Sequence, residues 1–509
     1  MVTGCVKNSI DLNKLSSGAS LDPTIVISGF KGEVTLGDLV EPTDTLVIGT
    51  DNSLNLVYRL DSVIDFTLND FYTPFPTVIL DRTFFMLGTD IENVNETIVV
   101  YPGEGIKHKK MSVVSGALGY TITSGCNFDT EIHLSFASIT SGAGILTKVI
   151  TVAEGTTVSG NIGLSGRLIN FDTDPVNPYN RIPVTYSIYA LGSPGVISDN
   201  NIDISLTFSE PEFDYAKGYF GLREETGTDI EAIETGMEEL FSKLTGSVYF
   251  SNPSITVDYQ NSFGMPLRVV ADITGENEEE AIQLSLDPVD LDYPVSETER
   301  SVSSTFVINR DNSNLPDIVS ILPELVYFGG SATSNPEGET GQDNIVFSDS
   351  RFNADIEFSV PFELRTSNIQ FSDTTDNFLI DNDSGESLLD MVSWLRIDFF
   401  IENGFPLGGD VTLSLYDSVN ETIIDEVSTD EMFKPAGVDA SGRVTSPEIH
   451  NSSVELTQDF ISAVKMADMV IFKFTLYTTD LGSKDVKIYS DYSILFKAGL
   501  SFTANIKLD

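Results

Sequence analysis

The sequence predicts an all-β chain, mainly antiparallel, organised as tandem β-sandwich modules with one or two amphipathic helices covering them. Three observations predict it. From about Thr24 to the end, apolar and polar residues alternate with period two in short segments, as half-buried strands require. Clusters of Gly, Asn, Asp and Pro punctuate those segments. A turn also recurs, as "NSFGMPL" at 261–267 and "NGFPL" at 403–407, with Pro266 and Pro406 140 residues apart.

The strands are read from single segments. "SITVDYQ" turns Ile255, Val257 and Tyr259 one way and Thr256, Asp258 and Gln260 the other. "TEIHLSF" turns Ile132, Leu134 and Phe136 inward, and "DVTLSLYD" does so with Val411, Leu413 and Leu415. Helices are the exception. In "TDIEAIETGMEELFSKL" Ile230, Ile233, Met237, Leu240, Phe241 and Leu244 form an apolar stripe, Thr228 and Glu231 a capping box, and Gly246 the stop. A shorter helix is expected from Gln458 to about Ala467, with Thr457 as N-cap and Leu456 and Ile461 as a hydrophobic staple.

The recurring turn reads strand, Asn and Gly, Pro-Leu, strand. Asn and Gly tolerate positive φ, and Pro enters the next strand where no ladder donor is needed. A looser copy, "GYTITSGCNFDTEIHLSF", places Gly125 139 residues before Gly264. The spacing predicts an N-terminal tether over 1–19, a β segment of its own over 20–102, and sandwich modules over 103–213, 214–328 and 345–509. "GGSATSNPEGETGQDN", 329–344, is expected to be a linker or long loop.

Composition narrows the partners. The 509 residues hold roughly three or four domains' worth of chain. Against 77 Asp and Glu stand 28 Lys and Arg, a net charge of −49 that arises from missing cations rather than acidic blocks. Such a surface repels phosphate backbones, which excludes nucleic acid as an expected partner. The two cysteines, Cys5 and Cys126, allow one bridge at most. No apolar run reaches the ~18 residues of a membrane span, so any contact with a membrane is expected through a lipid anchor only.

Val2-Thr3-Gly4-Cys5 resembles the lipobox of bacterial lipoproteins. The resemblance implies that Val2, Thr3 and Gly4 are read by the signal peptidase and that Cys5 carries the lipid. It departs from the family in that no basic and hydrophobic region precedes Val2. "YFSNPSITVDYQNSFGMPLRV", 249–269, resembles the non-enzymatic water-stress and late-embryogenesis sandwich domains. Together with "YAKGYFG" and "KIYSDYSILFKAGLSFTANIKL", it is also similar to uncharacterised envelope lipoproteins of Gram-negative bacteria that possess type IX secretion. That likeness implies a lipid-anchored protein of the periplasm or outer membrane, with the plug of the secretion channel as one candidate.

No catalytic constellation emerges. His108, His133 and His450 are far apart, with His133 on the polar face of its strand and read as solvated; no nucleophile elbow, phosphate loop or zinc helix occurs. The chain is expected not to be an enzyme and to need no cofactor. "DNDSGE" places Asp381, Asp383 and Glu386 at alternating spacing, which suits calcium, although Gly385 falls one position early for an EF-hand loop. In "VSWLRIDFFI" Leu395, Ile397, Phe399 and Ile401 are assigned to the core face and Val392, Trp394, Arg396, Asp398 and Phe400 to the other. Aromatic rings beside Arg and Asp suit a sugar ring or a partner protein. The expected function is a docking or structural protein of the envelope. The alternative is a lipid or glycan carrier of the tubular lipid-binding kind, with an apolar cavity beneath Ile233, Met237 and Phe241.

Overall fold

In the computed structural model, residues 20–21, 24–36, 45–72, 75–87, 89–192, 200–237, 244–376, 392–504 and 506–507 are described. Nearly all of the ordered elements are antiparallel strands, as the alternation predicted. They form three sandwiches of one topology.

In the inner sandwich the eight strands are Val78–Phe85, Ile91–Val99, Ala117–Ser124, Thr130–Ser141, Gly144–Val152, Thr157–Gly163, Arg181–Ala190 and Asn201–Phe208. Numbered in that order, one sheet runs 6-3-8-1 and the other carries 2-7-4-5. This is jelly-roll connectivity. The middle sandwich repeats it with Leu54–Thr67, Arg223–Glu234, Ser254–Asn261, Leu267–Glu276, a fifth strand split into Ala281–Gln283 and Val289–Leu291, Val302–Ile308, Leu325–Ser334 and Arg351–Pro361. The outer one uses Thr24–Thr35, Ile369–Asp376, Val392–Asn403, Leu407–Asp417, Thr422–Phe433, Glu448–Leu456, Met469–Thr478 and Ser493–Ala504.

The modules are nested rather than tandem. The inner one is inserted between strands one and two of the middle one, which is inserted at the same place in the outer one. Residues 20–102 therefore do not form a segment of their own. Thr24–Thr35 pairs with Ser493–Ala504, Leu54–Thr67 pairs with Arg351–Pro361, and Val78–Phe85 pairs with Asn201–Phe208. Insertion here is compatible with each fold because the first and last strands of a jelly roll are neighbours, so a guest enters and leaves at one point. At the inner module Val78 lies opposite Phe208, and the Thr77 and Ser209 hydroxyls are 2.8 Å apart.

The recurring turn closes strand three onto strand four in every module. Asn261 and Asn403 are fully buried. Each carboxamide oxygen accepts from the backbone N–H two residues on, at Phe263 and Phe405, both 2.9 Å. In the inner module Ser124 Oγ takes that role towards Cys126 N at 3.2 Å. The next N–H, of Gly125, Ser262 or Gly404, donates to the first residue of strand eight: Asn201, Arg351 or Ser493. None of these Asn or Gly residues adopts positive φ. Gly404 is required instead by close approach, since a Cβ there would stand 2.7 Å from the Ser493 carbonyl oxygen.

Two helical expectations separate. Gln458–Val464 is a helix, capped by Thr457 Oγ1, which accepts from Phe460 N at 3.2 Å, with Leu456 and Ile461 both buried. The stripe from Ile230 changes character along its length: it is strand at Ile230 and Ile233 and helical at Met237. Arg223–Glu234 is a strand, with Ile230 opposite Phe328 and Ile233 opposite Val326 across two register shifts. Those shifts let residues three apart occupy successive ladder positions, so the spacing suited either structure. Leu240 and Phe241 lie outside the described residues. The expected linker at 329–344 begins inside a sheet, because Leu325–Ser334 runs between strands two and four of the middle module. A Cβ on Gly330 would stand 2.5 Å from the Val270 carbonyl oxygen, so its glycine marks close strand approach rather than a loop.

The junctions repeat as well. At the inner one Glu212–Tyr219 pairs with Lys107–Ser115 and with Asn344–Phe347 of the middle module. At the outer one Glu363–Arg365 pairs with Tyr249–Phe250 and with Val486–Lys487 of the outer module. Arg300 lies over the Phe347 ring and pairs with Asp349, just as Arg443 lies over Tyr489 and pairs with Asp491. The buried side chains of the inner and middle modules form one continuous core, and the outer module has its own around Phe460, Ile461 and Val464.

Candidate functional site

The middle module does not close on itself. Between its two sheets lies a chamber of about 310 Å³, lined by Val257, Val269, Phe306, Phe328, Phe352 and Ile356 among others, with Asp65 and Glu225 at its edge. The two acids lie on strands one and two; Glu225 is on the edge strand of its sheet, and Asp65 is at the end of strand one that the short flanking strand Leu46–Ile48 does not reach.

Comparison with the inner module shows why the space is open. There, Leu134 faces Tyr186 and Ile132 faces Ile188 across strands four and seven, all four fully buried. Counted from the turn residues Ser124 and Asn261, the same positions in the middle module pair Ala271 with Gly330 and Val269 with Ala332. An aromatic ring and two aliphatic side chains are thus cut back to Gly and Ala on the inner surface of one sheet. Left dry and empty, an apolar void of this size would cost about 7 kcal/mol at ~24 cal/mol per Å³. That is a large fraction of the stability of an ordinary domain.

This chamber is not where the sequence pointed. Ile233 and Met237 are buried in the core but do not line it, and Phe241 lies outside the described residues. The edge charge is defined. Arg351 holds Asp65 by two hydrogen bonds of 2.6 Å each. Glu225 is exposed and has no ion-pair partner among the described residues.

Of the outward-facing residues proposed on the outer module, Arg396, Asp398 and Phe400 come together with Lys497 around a shallow depression. Arg396 Nε is 2.8 Å from Asp398, and Lys497 Nζ lies 4.7 Å over the Phe400 ring. Trp394 does not line it. Val392 is buried in the core instead of facing outward, because a register shift between Val392 and Trp394 breaks the alternation. Cys5, Asp381, Asp383 and Glu386 lie outside the described residues, among which no group of three or more His, Cys, Asp or Glu converges on a metal position.

One polar cluster was missed. His108, singled out in the sequence only as distant from the other histidines, is completely buried at the junction of inner and middle modules, ringed by Phe75, Phe171, Phe220 and Tyr72. Its Nε2 is 3.1 Å from the Tyr72 hydroxyl, which donates to Glu210, and its Nδ1 has no hydrogen-bond partner among the described residues. Burial holds the His108 pKa down to about 4 and pushes the Glu210 carboxyl up to about 6. No local pattern connects residues 72, 108 and 210. His133, by contrast, is half-exposed with Glu131 2.7 Å from its Nε2. Cys126 is a buried free thiol, its pKa raised by burial.

The fold and chamber together describe a three-module jelly-roll chain with an apolar space in its middle sandwich. No protein-family model matches the chain, and no curated protein sequence does. Among solved structures, a candidate secreted protein from Parabacteroides distasonis is similar over 55% of this chain and 88% of its own, at 17% identity and a TM-score of 0.37. A protein of infectious bursal disease virus strain Gt covers 92% of this chain and 88% of its own at 9% identity, with a TM-score of 0.15. One from Sulfolobus turreted icosahedral virus covers 88% and 97% at 9% identity, with a TM-score of 0.11.

Proposed function

We propose that the chain is a non-enzymatic component of the bacterial cell envelope, held by a lipid on Cys5, whose inner module docks other envelope proteins. The observation that supports this reading is the nesting. Ser20–Leu21 pairs with Ile506–Lys507, so both ends of the described chain belong to the outer module. A lipid near the N-terminus would tie the outer module to the membrane and leave the last of the nested modules for partners. At the inner module the connection between strands one and two, which carries a guest in the other two, is the short segment 86–90. Phe85, Leu87 and Leu191 are exposed there, at 65%, 73% and 52%. Exposed apolar side chains clustered at one end of a module suit a protein contact. A secretion-channel plug of the type IX system is the most specific form of this reading.

The test uses the full chain in cells. A photo-crosslinking residue at Leu87 is expected to capture a defined envelope protein, while the same residue at Leu481, equally exposed on the outer module, is not. Cys5→Ser is expected to move the protein from membrane to soluble fractions. Identical crosslinks from both positions, or membrane retention of Cys5→Ser, reject the proposal.

A further inference from the structure

We propose that the chamber of the middle module binds one neutral, single-chain apolar lipid, its hydrocarbon between the sheets and its uncharged head at the edge marked by Asp65 and Glu225. The inference is independent of the anchoring and docking reading. Size gives the first argument. At about 310 Å³ the space lies at the low end of the range for small-molecule sites, enough for one chain and too small for a two-chain lipid.

Chemistry gives the second argument. The interior presents mainly aliphatic and aromatic side chains, with Ser331 its one hydroxyl and no cation or amide among its lining residues, so it offers no counterion and few directed hydrogen bonds to a buried polar group. At the edge, Arg351 is already engaged by Asp65, and the exposed carboxylate of Glu225 remains. A fatty-acid carboxylate or a phosphate head placed there would meet like charge, on a chain of net charge −49. An alcohol, ester or monoacylglycerol head would not. The third argument is the paired reduction of side chains. Ala271 faces Gly330 and Val269 faces Ala332 where the inner module fills the same layer with Leu134, Tyr186, Ile132 and Ile188.

The test follows from that comparison. The purified full chain is titrated with the neutral fluorescent dye N-phenyl-1-naphthylamine, and the bound dye is displaced with monodecanoylglycerol or with decanoate. The neutral lipid is expected to displace it and decanoate to do so poorly. The double variant Ala271→Leu/Ala332→Ile, which restores inner-module side chains, is expected to weaken dye binding by about tenfold, or about 1.4 kcal/mol. Its far-UV circular dichroism should be unchanged; if it fails to fold, Ala332→Ile alone serves. Glu225→Lys is expected to bring decanoate close to monodecanoylglycerol in potency. Absence of dye binding, binding unaffected by the chamber-filling variants, or equal displacement by both competitors in the wild type overturns the proposal.

Discussion

Replacing Asn403 by alanine is expected to destabilise the outer module by about 3 kcal/mol, at about 1 kcal/mol for each hydrogen bond lost. The carboxamide is fully buried and makes three bonds: Oδ1 accepts from Phe405 N at 2.9 Å, and Nδ2 donates to Leu407 O and Lys434 O, both at 2.7 Å. Asn261, equally buried, makes two, to Phe263 N at 2.9 Å and Asp292 O at 3.0 Å, so its alanine variant should cost about 2 kcal/mol. Ser124 makes one such bond, to Cys126 N, and Ser124→Ala should cost about 1 kcal/mol. Trp394 makes the series readable, because it is the sole tryptophan and shares a strand with Asn403. In urea, Asn403→Ala should lower the midpoint followed by tryptophan fluorescence by about 1 to 3 M, given m of roughly 1–3 kcal/mol/M. Asn261→Ala should leave that midpoint in place and shift the transition seen by circular dichroism. Equal losses for the three variants, or a tryptophan transition moved as far by Asn261→Ala as by Asn403→Ala, would refute the assignment of the turn as a hydrogen-bonded clasp within each module.

The buried cluster between inner and middle modules sets a pH dependence. His108 takes up its proton only near pH 4 when folded and near 6.5 when unfolded, so stability present above about 6.5 is lost as pH falls towards 4. Glu210 titrates near 6 when folded against 4.5 unfolded, so its contribution is present below about 4.5 and lost as pH rises through 6. The two oppose each other between those values. Glu210→Gln should therefore be more stable than wild type near neutral pH and lose stability more steeply between about pH 6 and 4.5, measured as urea midpoints; a profile parallel to wild type would refute the cluster. Gly218, in the strand that leaves the inner module, has φ +153°, and a Cβ there would stand 1.9 Å from the Lys107 carbonyl oxygen. Gly218→Ala should cost more than about 2 kcal/mol and speed proteolysis around Lys107–Ser115; wild-type melting and cleavage would show that the junction strands do not approach so closely.

Much of the fold is legible in local pattern, because alternation, turn chemistry and capping act over a few residues. "SITVDYQ" and "TEIHLSF" carry their inward faces in period two, and Thr457 with Leu456 and Ile461 marks a helix start. The recurring Asn turn revealed three copies of one unit, although its glycines serve close approach and its asparagines a buried clasp rather than positive φ. Ile230 and Ile233 misled because register shifts place residues three apart at successive ladder positions. Val392 misled for a related reason, since a register shift beside Trp394 breaks the alternation that parity assumes.

What the sequence determined by itself was an antiparallel, acidic, all-β chain of repeated sandwiches, since those properties reside in neighbours along the chain and in composition. Tertiary structure alone decided that the sandwiches are nested, because the pairing of Thr24–Thr35 with Ser493–Ala504 joins strands from opposite ends of the sequence and leaves no local trace. It also decided the chamber and the buried His108 cluster. A small residue opens a space only if the one facing it is small too, and which residue faces which, Ala271 with Gly330 or Leu134 with Tyr186, is settled by register between distant strands.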